Sequence, residues 1–97
     1  MTDNYALQMS AKGEKFYEMN LTKFRPTFSK VVIHGLNVGN TVVKLRNGGE
    51  LTDANVAGVE TTEYSKTILL AAPVTPECLR LELNTEDLVE IYEIEAF

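Results

Sequence analysis

The chain has 97 residues, 44% of them apolar and 24% charged. That is enough for one domain with a modest core, and it is not the composition of a disordered chain. The formal net charge of −5 opposes sequence-general binding to phosphate backbones, so no nucleic-acid partner is expected. The single cysteine, Cys78, excludes an internal disulfide. No run approaches the ~20 apolar residues of a membrane helix, so no membrane partner is expected.

Charge is unevenly spread. Residues 1–50 hold seven Lys/Arg and four Asp/Glu, whereas residues 51–97 hold two and ten. The two halves therefore read as complementary, and a second copy's C-terminal half is a candidate partner for the basic side chains of the first. Residues 1–20 contain no basic region followed by an apolar run. The sequence thus predicts synthesis in the cytoplasm without a signal peptide.

Alternation of apolar and polar residues dominates the chain. Tyr5, Leu7 and Met9 alternate with Ala6, Gln8 and Ser10 in a first strand, and Glu14 to Asn20 is a second. Residues 21–27 form a connection in which Pro26 pushes Arg25 toward extended backbone. Phe28 to His34 is a strand centred on Val31, Val32 and Ile33. GLNVGN turns the chain, its asparagines suited to positive φ. Thr41 to Arg46 is the next strand and ends in NGGE, an Asn-Gly turn. Residues 51–64 are the least regular, with a short strand near Val56 to Val59.

Lys66 to Ala72 is a strand, followed by a Pro-bounded loop. In CLRLELN the leucines 79, 81 and 83 face one side, with Cys78, Arg80 and Glu82 on the other. NTED then leads to a closing strand, Leu88 to Phe97, whose acids invite pairing with Arg80 through Glu93 or Glu95. That strand holds a conflict: Val89 and Ile91 share one parity, Tyr92 and Ile94 the other. A regular strand cannot bury both sets on one face. The pattern predicts a β-bulge near Ile91–Tyr92, or a strand covered on both faces. Seven or eight short strands without a helical period predict an all-β, antiparallel sandwich over residues 1–97.

Candidate chemistry is sparse. The only histidine, His34, lies within a strand, so neither a His-rich metal site nor a Cys–His cluster is expected. Cys78 has no CxxC neighbour and reads as a small packing residue. Adjacent glycines in LRNGGELTD match no phosphate-binding motif. Glu86 and Asp87 in one turn, and Asp53 in a loop, do not form a calcium-loop run. Glu90, Glu93 and Glu95 read mostly as the wet face of a sheet. The chain has no tryptophan. Tyr64 is the one aromatic in a polar loop, with Asn37, Asn40 and Asn47 in others, while Tyr5, Tyr17 and Tyr92 fall within strands. The expectation is therefore no catalytic, cofactor or metal residues, and not an enzyme.

Residues 24–97 resemble the latter part of discoidin-type, galactose-binding-like β-sandwiches. The segments that carry this are FSKVVIHG, TVVKLRNGGELTD, CLRLELN and VEIYEIEAF. The resemblance implies a jelly-roll-like sandwich and, through the family, a carbohydrate ligand. It departs from the family in its short N-terminal part and missing tryptophans. Two functions follow as expectations. The first is a non-enzymatic structural or interaction module, a small subunit of a larger assembly such as a phage virion (head decoration, neck or tail), with protein partners that include further copies of itself. The alternative is a carbohydrate-binding module, lectin-like or an adhesin.

Overall fold

The computed structural model describes residues 2–10, 14–23, 25–85 and 87–97, with side chains from Phe16 onward except at 24, 84 and 86. Among the described residues there are nine strands: β1 (Thr2–Ser10), β2 (Glu14–Asn20), β3 (Phe28–Leu36), β4 (Thr41–Arg46), β5 (Leu51–Asp53), β6 (Val56–Thr61), β7 (Ser65–Val74), β8 (Cys78–Asn84) and β9 (Leu88–Ala96). They build a five-stranded sheet, β1-β9-β3-β7-β6, and a four-stranded sheet, β2-β8-β4-β5. All pairings are antiparallel. The chain is thus an all-β sandwich. The strand beyond the expected seven or eight is the three-residue β5, too short for alternation to reveal.

The pairing has a simple logic. β1 pairs with β9, β2 with β8, β3 with β7 and β4 with β5. The chain is one long antiparallel ribbon, bent back at the β4–β5 turn and wrapped so that successive strands change sheets everywhere but at the β4–β5 and β6–β7 hairpins. Contacts of β3 with β9 and β4 with β8 close the wrap. This is jelly-roll order, with β6 added at one edge. NGGE makes the expected hairpin, with Gly48 at φ 81°. The acidic turn between β8 and β9 does not make one; it carries the chain across from one sheet to the other.

The core lies between the inner faces. Val31, Ile33, Ile68, Leu70, Val89, Ile91 and Ile94 come from one sheet, and Met19, Val43, Leu79, Leu81 and Leu83 from the other. Alternation produces this directly: on β8 the three leucines are 0–1% exposed, while Arg80 and Glu82 remain half-buried on the outer side. Cys78 is buried, and its burial raises the thiol pKa above the ordinary value.

Two expectations fail locally. Arg25 is not extended: its φ is 39°, a left-handed value that few non-glycine residues adopt. Tertiary bonds hold it there. Its amide donates to Leu21 O at 2.7 Å, and its guanidinium donates to Thr75 O at 2.7 Å and Asn47 Oδ1 at 3.1 Å. Arg80 does not meet Glu93 or Glu95, because β8 and β9 lie in different sheets. It pairs with Glu18 at 3.4 Å and Glu82 at 3.5 Å, and its guanidinium stacks 3.6 Å from the Phe16 ring centre. Nor is the charge split in sequence a split in space. The ribbon interleaves the two halves, so Lys44–Glu82, Arg80–Glu18 and Arg25–Glu77 are compensated within the chain.

Lys66 ties the two sheets together beside the groove between them. It projects from β7 and donates to Gly39 O at 2.9 Å and Thr41 O at 2.7 Å. Burial lowers its pKa below 10.5. Approaching that value from below, the unfolded chain binds more protons at this site than the folded one. The Lys66 contribution to stability therefore rises with pH between the lowered folded pKa and 10.5. Lys44 works the other way: its bond to Glu82 raises its pKa, and its contribution is lost as pH climbs past 10.5. Lys66→Met is expected to remove the first rise. Near neutral pH it should cost about 1 kcal/mol, because two carbonyls lose a charged donor. Denaturant melts of both proteins along an alkaline series check this.

Candidate functional site

The predicted bulge is present. His34 pairs with Glu93 and Gly35 with Ile91, so Tyr92 is the extra residue of β9 against β3. Across the other ladder Asn4 pairs with Glu93 and Leu7 with Ile91. The bulge resolves the parity conflict. Val89 and Ile91 point inward before it, Ile94 and Ala96 after it, and all are buried. Tyr92 turns outward and is 46% exposed. The inserted residue also places Glu93 and Glu95 outward, beside His34 of β3.

Gly35 makes this close approach possible. A Cβ there would lie 1.8 Å from Glu90 O and 2.9 Å from Glu90 C. Only a residue without a side chain lets β3 run this near to β9 beside the bulge.

The outcome is a polar, aromatic patch on the outer face of the five-stranded sheet. His34 Nε2 lies 2.7 Å from Glu95 Oε1 and 3.9 Å from Glu93 Oε1. One ligand atom from each of the three residues falls within 4.8 Å of the others. All three are partly exposed. Among the described residues this is the group of His, Cys, Asp and Glu side chains whose ligand atoms lie close enough together to share one ion. Nearby, the Tyr92 hydroxyl donates to Glu90 Oε2. Tyr64, in the turn between β6 and β7, is close enough to act electrostatically on the Tyr92 phenol. The hydrogen bond to Glu90 raises the Tyr92 pKa above 10, with burial and the charges of Glu90 and Tyr64 adding to it. A phenol held neutral stabilises the fold below its unfolded pKa and loses that contribution as pH rises through its folded one. Tyrosinate absorbance should therefore show a late-titrating component that Glu90→Gln moves to lower pH.

The other candidates stay dispersed. Asp53 is exposed, 3.7 Å from Lys44, at the rim of a groove of about 250 Å³ between the sheets. Asp87 closes a local turn on Thr85, and Glu86 lies outside the described residues. Asn37 takes the positive φ expected of it, 60°, and donates to Leu88 O at 2.7 Å. Asn47 binds Arg25 beside a separate groove, and Asn40 is exposed in a turn. Tyr17 packs on the core, and the Tyr5 side chain lies outside the described set. Individually, His34 and Tyr92 carried no functional signal. Their grouping with the acids was foreshadowed only by the parity conflict in EIYEIE.

No helix among the described residues is long and apolar enough to cross a membrane. Comparison with known proteins returns no matching family model, no matching curated protein and no matching solved structure.

Proposed function

We propose that the chain is a non-enzymatic structural or interaction module, a small subunit of a larger assembly, and that it docks through the outer face of its five-stranded sheet. The observation that carries this reading is the aromatic and apolar character of that face. Tyr92, Leu69 and Phe97 are 46%, 46% and 57% exposed there, with Tyr64 at 55% on its rim. Aromatic side chains on a rigid sheet are favoured at protein interfaces, where they bury large area at low entropic cost. The edge strand β6, VAGVET, points the same way. It exposes Val56 and Val59 and carries no lysine or proline to discourage pairing. Small jelly rolls serve as viral capsid domains, which makes a phage virion component the concrete form of this reading. The test is the mass of the native particle that contains the chain. A protein that is monomeric at every concentration, and absent from every purified particle, would overturn it.

A second reading is a carbohydrate-binding module. Two neighbouring exposed tyrosines beside Glu90 and Glu93 offer ring faces together with carboxylate acceptors, the pairing that sugar recognition uses. The galactose-binding-like resemblance of residues 24–97 supports the same reading. A glycan array without binding at high protein concentration removes it.

A further inference from the structure

We propose that His34, Glu93 and Glu95 form a zinc-type divalent-cation site on the outer face of the five-stranded sheet. The donor set points to the class of ion. One imidazole nitrogen and two carboxylates suit zinc and its first-row neighbours. Calcium and magnesium call for more oxygen ligands and make little use of imidazole.

Geometry supports the set. In a tetrahedral zinc site with bonds near 2.0–2.1 Å, neighbouring donors lie ~3.4 Å apart. The present separations, from 2.7 Å for His34–Glu95 to at most 4.8 Å across the group, bracket that spacing. Small side-chain rotations bring all three to it. A water completes the fourth position, which faces solvent. The backbone beneath is fixed, since His34 and Glu93 are direct register partners and Glu95 pairs with Val32 next to them. Sites built on strands hold their ligands more tightly than sites built on loops.

Charge supplies the second argument. Two carboxylates converge on one ring nitrogen, so acidic side chains outnumber the single base in the group. The hydrogen bond from His34 to Glu95 satisfies one carboxylate and leaves Glu93 at 3.9 Å. A divalent ion balances both. Coordination uses the tautomer with its proton on Nδ1, which presents the Nε2 lone pair to the ion. The bulge at Tyr92 is necessary, because without it Glu93 would share the inward parity of Val89 and Ile91.

The experiment is calorimetric titration of the full chain, stripped with chelator, with zinc chloride. Cobalt(II) absorbance serves as the readout of coordination geometry. The expected result is one ion per chain, a melting temperature that rises with zinc, and no response to calcium. Glu93→Gln and Glu95→Gln keep side-chain shape, and with His34→Ala each should weaken zinc by about tenfold or more while circular dichroism stays unchanged. Two results would overturn the proposal: no saturable one-to-one binding, or one-to-one binding that survives His34→Ala and Glu95→Gln unchanged.

Discussion

Gly35→Ala is expected to destabilise the fold by about 3 kcal/mol or more, the upper range for overpacking, and to leave little soluble protein. The added methyl would sit 1.8 Å from Glu90 O, inside any tolerable contact. The obstacle is backbone, not the end of a flexible side chain, so rotamer changes cannot relieve it. β3 and β9 must separate at the bulge, which breaks the ladder that holds His34 against Glu93 and Gly35 against Ile91. Damage should therefore spread to both neighbours of β9, including the β1 ladder. Gly49→Ala is the control. Nothing lies within 4 Å of its Cβ position and its φ is not left-handed, so stability should change by less than about 0.5 kcal/mol. Urea unfolding of the three proteins checks the contrast. Equal midpoints for Gly35→Ala and the parent chain would show that the strands do not approach as closely as described.

The same glycine illustrates what a sequence reading reaches. Period-two alternation locates β3, β4 and β8 and, on β8, orients the leucines, because each residue's choice of face is local. The parity break in VEIYEIEAF located the bulge for the same reason. Alternation does not encode which strands become partners. Arg80 stands among acids in sequence, but its partners Glu18 and Glu82 are selected by the wrapping of the ribbon, which places β2 beside β8 and sends β9 to the other sheet. Pro26 alone points Arg25 toward extended backbone, whereas bonds to residues 22 and 50 positions away hold its φ positive. The candidate site is the extreme case. His34 and Glu95 are 61 residues apart in the chain and 2.7 Å apart in the fold. Tyr64 and Tyr92 come from different turns of the wrap. No local pattern encodes such a meeting, so each residue looked ordinary until the strand order was known.

Leu81→Ala is expected to cost about 2–5 kcal/mol, a large part of the roughly 5–15 kcal/mol that holds a small domain together. Leu81 lies in β8 between Tyr17 of β2 and Val43 of β4, and none of its surface is exposed. Truncation removes buried methyls and leaves a cavity that two hydrogen-bonded neighbours prevent from closing. Tyr92→Ala and Leu69→Ala remove as much apolar surface or more, but from side chains that are already 46% exposed on the outer face. Their stability cost should be well below that of Leu81→Ala. If the outer face is the docking surface, the ranking must reverse for assembly. Tyr92→Ala should melt close to the parent chain yet fall out of the native particle, whereas Leu81→Ala should be lost in proportion to its unfolding. Measuring melting temperature and particle incorporation on the same variants separates the two kinds of residue. Tyr92→Ala that incorporates normally would place the interface elsewhere on the sandwich, with the β6 edge as the surface to test next.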